Sequence, residues 1–442
     1  MPATAPPSPA EDEAGHPRRH RVFFVVTTVV IVLFMAASSA PSPLYVVYQG
    51  MWGFSPTVLT GIFAIYVLGL LAALLVVGRL SDHIGRRPVL CGALVLEAAA
   101  LVLFLAAGDT LVLGLARLVQ GLATGAAISV LGAALVDLAP PRAKHHAGIV
   151  NSVAPTGGLA VGALGCGALV QFGPAPTHLV YAILLGGMVL SGGAALLMPE
   201  TVTRRPGALG SLVPKAGIPR HLRADLLPVI PVMIATWALG GLYFSLGPSV
   251  AAGVFGLGNH LVGGFVITLL CGVAAVTSSL LRRVPAHRLL LPAACGLGAG
   301  TLGGLAGVHG NSLALATVGT VVAGAGFGAG ALAAFGTIAR IARPHERGAL
   351  IAVVYVISYL AFSVPAVVAG LADTHYGLRS TTEVYTLAIL ALTLAALVLR
   401  ATVTRAPATA PLPPPVARSE PRLPEPVATA DAARPEEGCR VR

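Results

Sequence analysis

The sequence predicts an all-α polytopic membrane protein in which twelve transmembrane helices form two pseudo-symmetric six-helix halves. Three observations lead to this fold class. Of the 442 residues, 56% are hydrophobic and only 10% are charged, with a mean hydropathy of +0.85, a composition foreign to soluble globular chains of this length. The basic residues lie almost entirely in alternate loops, and the chain repeats its layout after 203 residues.

The apolar segments are long enough to cross a bilayer, because a span needs about 20 mainly apolar residues. We expect two disordered tails, 1–21 and 403–442, whose proline and charge content disfavours folding. The two six-helix halves cover 22–200 and 225–402, and the loop 201–224 joins them. The predicted helices lie near 22–46, 56–78, 88–107, 111–138, 147–170, 178–198, 226–250, 259–281, 288–308, 312–338, 348–371 and 382–402.

The distribution of charge supports the count of twelve. If the amino terminus is cytoplasmic, the cytoplasmic segments and adjoining helix ends hold 26 of the 28 lysines and arginines, and only Arg117 and Arg379 fall elsewhere. This asymmetry follows the positive-inside rule. It predicts a multi-pass protein of the cytoplasmic (inner) membrane with both termini in the cytoplasm. The net charge of +11 is then explained by basic residues at the cytoplasmic face of the membrane, and we expect no nucleic-acid partner.

The internal repeat divides the chain into two similar halves. A shift of 203 residues superimposes several glycines without a gap, and glycines spaced by four allow close helix approach in lipid. Two halves joined by a long basic loop are typical of secondary transporters, whose substrate site lies near mid-membrane between the halves. The superimposed glycine pairs are Gly121 with Gly324, Gly125 with Gly328, and Gly167 with Gly370.

A charged stretch between the second and third predicted helices, residues 78–90, cannot lie in hydrocarbon. Its glycines are expected to permit close backbone approach and positive φ, so we expect a tight loop with a fixed ionic arrangement. A loop that merely follows the positive-inside rule would explain the paired arginines but not the spaced glycines and the aspartate. As a candidate gating loop it supplies Gly78, Leu80, Asp82, Gly85, Arg86 and Arg87.

This loop resembles motif A of the major facilitator superfamily, and two further segments extend the resemblance. Residues 117–125 resemble motif B in the fourth helix, and residues 199–201 resemble the usual exit from the sixth. The fifth-helix Gly-Pro signature of drug:proton antiporters falls at Gly162-Ala163, where the proline is missing. The resemblance implies the major facilitator fold, and it implies that Asp82 lies near the start of helix 11, around Gly348.

The chain has no phosphate-cradling loop, because neither of its two lysines follows the required glycines. Transport would therefore use a solute or ion gradient, and ionisable groups inside spans mark such pathways. Glu97 and Arg117 are the two deep candidates, and resemblance to motif B adds Gln120 and Gly121 as coupling residues. Arg117 could instead form a structural pair with helix 3 or with freed carbonyls. We hypothesise that Arg117 and Glu97 form a proton-responsive pair.

The cavity of this superfamily is lined mainly by helices 1, 4, 7 and 10. In this sequence those helices are poor in charge and in amides, which suits lipophilic or amphipathic solutes better than sugars or phosphates. The candidate cavity residues are Thr28, Ser39, Thr124, Trp237, Tyr243, Thr320 and Phe327.

Together these features predict a secondary transporter rather than an enzyme. We expect alternating-access efflux of lipophilic small molecules coupled to protons, by a monomer in the lipid bilayer with no cofactor and no metal. Two alternatives stay open. The same fold could mediate nutrient uptake or facilitated transport, whereas a membrane enzyme or sensor would need clustered His, Asp or Glu at one membrane face, which the sequence lacks.

Overall fold

The computed structural model describes residues 9–78, 80–139, 144–202, 204–212, 217–343 and 346–403, and no β-strand occurs among them. Eleven helical spans are long and apolar enough to cross a membrane, and the twelfth is a bent pair of helices. The long helices are α1 (Pro9–Ser39), α2 (Pro56–Val77), α3 (Arg86–Leu105), α4 (Thr110–Asp137), α5 (Lys144–Phe172), α6 (Leu179–Leu196), α7 (Val229–Ser245), α8 (His260–Leu281), α9 (Ala286–His309), α10 (Leu313–Ile341), α11 (Arg347–Tyr376) and α12 (Leu378–Val403).

The first span differs from the prediction at its start. Helix α1 begins at Pro9, so residues 9–21, predicted as disordered tail, are helical. Many of them are alanine, glutamate and arginine, which favour helix, and extending an existing helix needs no new nucleus. Beyond Ala40, which has helical dihedral angles, the span continues as a second helix, Pro41–Trp52. Val403, the first residue of the other predicted tail, ends α12, and residues 1–8 and 404–442 lie outside the described residues.

The seventh span is the shortest and the least regular. Helix α7 has 17 residues, at the lower limit for crossing a bilayer. It meets the helical segment Arg220–Leu226 at 62°, and after Leu246 it continues as Gly247–Gly253. The predicted boundary between linker and second half, at 224/225, falls inside this bent segment.

The two halves pack their helices in the same pairs, as the repeat predicted. In the first half α4 packs against α2 and α3, α5 against α1, and α6 against α3; in the second half α10 packs against α8 and α9, α11 against α7, and α12 against α9. The repeated glycines mark these contacts. A Cβ at Gly121 would meet the backbone of Tyr66 in α2, and one at Gly324 would meet the carbonyl oxygen of Leu270 in α8 at 2.8 Å.

Among the described residues, the most extensive contacts between the halves are those of α5 with α8 and of α2 with α11. We call the end with the turns 53–55, 106–109, 173–178, 254–259, 310–312 and 377 the short-loop end, and the opposite end the basic end. The Thr57 hydroxyl donates to the Gly370 carbonyl (3.2 Å), and the His260 N–H donates to Gln171 (3.0 Å). These bonds tie the halves together at the short-loop end.

The outer surface of the bundle is apolar. Large aliphatic side chains such as Val95 (69% exposed), Leu190 (77%) and Leu280 (76%) point away from the protein interior. Because a helix satisfies its own backbone hydrogen bonds, such a surface is stable in lipid. The chain is therefore a multi-pass membrane protein, and its polar groups are concentrated at the bundle ends and in a few buried positions.

Candidate functional site

The charged stretch between α2 and α3 forms a compact connection at the basic end. Helix α2 ends at Val77, a single helical turn covers Ser81–Ile84, and α3 begins at Arg86, so Arg86 and Arg87 belong to a helix rather than to the predicted loop. Gly85 has φ +104°, a conformation that favours glycine. Gly78 has φ −53°, so the positive φ expected of it is wrong.

Glu200, at the exit from α6, holds this connection in place. Its carboxylate accepts hydrogen bonds from the backbone N–H groups of Arg86 (2.8 Å) and Arg87 (3.2 Å). A helix amino terminus favours an anion, because its first N–H groups are unpaired and its dipole is positive there. A Cβ at residue 85 would collide with Glu200, which is a second reason for glycine there. The connection between α2 and α3 is thus bound to the segment that follows α6, the last helix of the first half.

The charged side chains of Arg86 and Asp82 in this connection have different surroundings. Arg86 Nε lies 3.0 Å from Asp137 Oδ2 at the end of α4. Asp82 is exposed, and among the described residues none forms a hydrogen bond or ion pair with its carboxylate. The side chain of Arg347, at the start of α11, lies outside the described residues, so the expected proximity of Asp82 to that helix stays a prediction. The backbone of Leu80 forms part of the connection, because its N–H donates to the Val77 carbonyl and its carbonyl accepts from the His83 N–H.

A polar network is buried in the core of the first half, where sequence reasoning expected an ion pair. Arg117 (1% exposed), Gln120 and Glu97 (both 0%) form it. Arg117 Nη1 donates to Gln120 Oε1 (2.7 Å), and Gln120 Nε2 donates to Glu97 Oε1 (3.0 Å). Glu97 and Arg117 are therefore connected through Gln120, and no direct contact between the two charges occurs in the structure.

The network reaches α1 through backbone carbonyls. Gln120 Nε2 also donates to the Ala37 carbonyl (2.9 Å), and Arg117 Nη1 donates to that of Ser38 (3.0 Å). Within a continuous helix the Ala37 carbonyl would accept from residue 41, but Pro41 has no N–H. The proline thus frees an acceptor, and a buried side chain satisfies it as membrane helices require.

Aromatic side chains complete the surroundings of Arg117. Its Nε donates to the Tyr45 hydroxyl (2.6 Å), and its guanidinium carbon lies 5.3 Å from the Tyr45 ring centroid and 5.1 Å from that of Tyr66. The Tyr66 hydroxyl bonds to Ser38 Oγ (2.6 Å). Sequence reasoning missed Tyr45, Tyr66 and Ser38, because nothing in their spacing distinguishes them from ordinary packing residues.

One atom of this network is left without a partner. Glu97 Oε2 is buried and has no hydrogen-bond partner among the described residues. Both polar side-chain atoms of Gln120 are bonded: Oε1 accepts from Arg117, and Nε2 donates to Ala37 and Glu97. A carboxyl oxygen with free acceptor capacity can take up and release one proton. Arg117 is positively charged, so the network is neutral when Glu97 is ionised and has a net charge of +1 when Glu97 is protonated.

The glycine predicted as a coupling residue has a packing role in the structure. A Cβ at Gly121 would meet the Tyr66 carbonyl, and one at Gly125 would meet the Leu70 carbonyl and lie 3.0 Å from Ala73 Cβ. These glycines bring α4 against the backbone of α2, which sets the distance between Tyr66 and Arg117.

An aromatic cluster reaches the interface between the halves, and it includes two of the predicted cavity residues. The Trp237 ring is 5.9 Å from that of Phe327 and 6.4 Å from that of Phe362, which lies 5.1 Å from Phe63 of α2 in the other half. Trp237 also lies 5.9 Å from Tyr359. Phe362 therefore connects Trp237, and through it Phe327, to the interface between the halves, where the repeat architecture predicts a substrate site.

The other predicted cavity residues are not brought to one place. The Tyr243 and Thr320 hydroxyls bond to each other (2.7 Å) and line a cavity inside the second half. Thr28 and Thr124 donate to carbonyls four residues earlier in their own helices, and Ser39 donates to Ala36. The sequence assigns these residues to helices but does not show which face of a helix each one occupies, because α1, α4, α7 and α10 each touch several neighbours.

The comparisons with known proteins agree with this architecture. The Major Facilitator Superfamily profile matches residues 27–364. Among solved structures, the human organic anion transporter TETRAN aligns at 18% identity and TM-score 0.62, over 86% of this chain and 99% of that chain. A bacterial homolog of the human lysosomal transporter Spinster, inward-facing and occupied, aligns at 14% and 0.66, over 88% and 97%.

The inward-open xylose transporter XylE from E. coli aligns at 15% identity and TM-score 0.66, over 86% of this chain and 96% of that chain. At these identities the solved structures show a shared fold and nothing finer. A search of curated proteins found no match. The paired six-helix halves agree with the profile match over most of the chain, and that match identifies the chain as a member of the major facilitator superfamily.

Proposed function

We propose that this protein exports lipophilic or amphipathic small molecules across the cytoplasmic membrane by alternating access, driven by proton exchange at Glu97. The observation that carries the proposal is the buried chain Glu97–Gln120–Arg117, which ends on the carbonyls of α1. A charged group at this depth is costly and is retained for function more often than for stability.

The coupling step follows from charge balance. With Glu97 ionised, its negative charge offsets the positive charge of Arg117, and hydrogen bonds through Gln120 connect both groups to α1. A proton bound at Glu97 Oε2 leaves Arg117 uncompensated beside the Ala37 and Ser38 carbonyls. The excess charge favours an arrangement in which α1 moves and water or substrate reaches Arg117. Deprotonation restores the neutral network, so one proton would accompany each conformational cycle.

Orientation belongs to the same proposal. The basic end carries almost all lysines and arginines outside the spans, so we place it in the cytoplasm. The halves are joined at the short-loop end by the Thr57–Gly370 and Gln171–His260 bonds, whereas Asp82 at the basic end is exposed. This arrangement corresponds to an inward-facing state, in which Glu97 would exchange protons and substrate would enter from the cytoplasm.

The test uses purified protein in liposomes that contain the pH dye pyranine, with ethidium and N-phenyl-1-naphthylamine as cationic and neutral probes. A pH gradient should drive wild-type transport of at least one probe with counterflow of protons. Glu97→Gln keeps the acceptor for Gln120 but removes the titratable group. We expect it to lose at least about tenfold in gradient-driven accumulation and to retain probe exchange without a gradient.

The matched control is Glu383→Gln, which removes an acid at the short-loop end, where it pairs with Arg379 and His309. It should leave the pH dependence unchanged. A wild-type pH profile in Glu97→Gln would refute proton coupling at this residue. Probe and proton movement in the same direction would favour uptake, and no movement of either probe would refute lipophilic export.

A further inference from the structure

The second half contains a cavity of about 320 Å³ toward its short-loop end, within the size range of small-molecule sites. It is separate from the interface between the halves, because α9 and α12 contribute to its wall together with α7, α8 and α10. Residues from these five helices include Tyr243, Phe265, Thr301, Gly304, Thr320 and Thr386.

The repeat explains why this cavity exists. Gln120 contacts Glu97 in the first half, and the residues 203 positions later, Ala323 and Gly300, contact each other in the second. The register of the repeat is therefore correct for these helices. The cavity is the counterpart of the Glu97–Gln120–Arg117 network, with the large polar side chains replaced by small residues.

The same shift accounts for further parts of the cavity wall. At four further pairs of positions related by this shift, the first half has a large buried side chain that fills its core, and the second half has a smaller residue that lines the cavity. The pairs are Tyr48 with Ala251, Leu101 with Gly304, Leu113 with Ala316, and Arg117 with Thr320.

The wall is apolar apart from hydroxyl groups, and no charged residue contributes to it. The Thr320, Thr382 and Thr386 hydroxyls donate to carbonyls of their own helices. Thr301 differs: it is 2% exposed, it lines the cavity, and its Oγ1 has no hydrogen-bond partner among the described residues. A buried hydroxyl without a partner is unfavourable, and a ligand that supplies one would remove that cost.

We propose that this cavity is a binding site for an uncharged lipophilic small molecule that carries one hydrogen-bonding group, which Thr301 recognises. A charged ligand is excluded, because the wall offers no compensating charge. The Tyr243–Thr320 bond, 2.7 Å long, crosses between α7 and α10 in the wall. A ligand there would contact two helices of the second half at once. This site does not depend on the direction of transport or on proton coupling.

The test is photolabelling with 4-[3-(trifluoromethyl)-3H-diazirin-3-yl]benzyl alcohol, a small neutral probe with one hydroxyl. Purified protein in lipid nanodiscs is irradiated, and labelled residues are located by mass spectrometry. We expect labels on the cavity segments of α7, α9 and α10, reduced at least fivefold by excess 4-(trifluoromethyl)benzyl alcohol. Uniform labelling of lipid-facing residues, without competition, would overturn the proposal and indicate partitioning into the bilayer.

Three variants test the site itself. Gly304→Leu fills the cavity, since a Cβ at Gly304 has no atom within 4 Å, and it should abolish competed labelling. Gly272→Leu is the matched control, because Gly272 also has open space around its Cβ but does not line the cavity. Thr301→Val keeps the shape and should weaken competition by at least threefold. Unchanged labelling in both Gly304→Leu and Thr301→Val would overturn the proposal.

A further variant separates this site from the transport mechanism. Glu97→Gln should label as the wild type does, whatever its effect on transport. Loss of competed labelling in Glu97→Gln would contradict the independence of the two sites. Thermal unfolding of each variant, followed by tryptophan fluorescence, ensures that only folded protein is compared.

Discussion

Removal of the bridging amide, by Gln120→Leu, tests the buried network most directly. Gln120 takes part in three hydrogen bonds, to Arg117, Ala37 and Glu97. Side-chain hydrogen bonds in membrane proteins contribute about 0.6 kcal/mol each on average, so their combined loss amounts to about 2 kcal/mol. Pro41 cannot supply a replacement donor for the Ala37 carbonyl. We therefore expect the free energy of unfolding to fall by about 2 kcal/mol.

The assay is unfolding in mixed dodecylmaltoside and SDS micelles, followed by helical circular dichroism. Thr27→Val is the matched control, because the Thr27 hydroxyl is buried in the same half and donates to a carbonyl of its own helix. It should change the unfolding free energy by less than about 0.5 kcal/mol. Comparable losses in Thr27→Val and Gln120→Leu would indicate that the amide has no special role.

A double-mutant cycle adds the decisive comparison. In Gln120→Leu, Glu97 loses the donor to its Oε1, which costs about 1–3 kcal/mol for a buried acceptor; in the double variant with Glu97→Leu that cost disappears. The double variant should therefore be at least about 1 kcal/mol more stable than the sum of the single effects implies. Additivity within about 0.5 kcal/mol, as for distant residues, would refute the bridge.

Two further predictions follow from packing and topology. Gly125→Leu should prevent folding of the first half, because its side chain would collide with the backbone of α2, whereas Gly114→Leu, with open space around its Cβ, should express and unfold as the wild type does; equal expression of both would contradict the close α2–α4 packing. In a cysteine-free background, a cysteine at Ser380 should react with an impermeant maleimide outside intact cells, and one at Leu209, 84% exposed, only after permeabilisation. The reverse labelling would refute the orientation.

Much of the fold could be predicted because its causes are local. Twenty apolar residues in succession specify a span wherever they occur, and the basic loops specify alternation. The glycines at 121 and 125 indicated close packing, and the structure shows it against α2. Helix starts were less accurate: α3 begins at Arg86 rather than 88 because Glu200, distant in sequence, satisfies its first N–H groups.

The candidate site also has features that the sequence predicts and features that depend on the tertiary structure. That Glu97 and Arg117 would need partners followed from the cost of charge in a membrane, but the sequence does not show that Gln120 connects them or that Pro41 frees the Ala37 carbonyl. Likewise the predicted cavity residues separate into an interface cluster around Trp237 and an internal cavity around Thr320.

The sequence alone determined that the chain crosses the membrane in two repeated halves and which few ionisable groups lie inside it. The tertiary structure decided which helix faces meet. The reason is that composition sets the free energy of placing each segment in lipid, whereas the neighbours of a side chain depend on helix rotation, and one residue turns a helix by about 100°. Pseudo-symmetric positions in the two halves therefore hold a filled polar network in one and a cavity in the other.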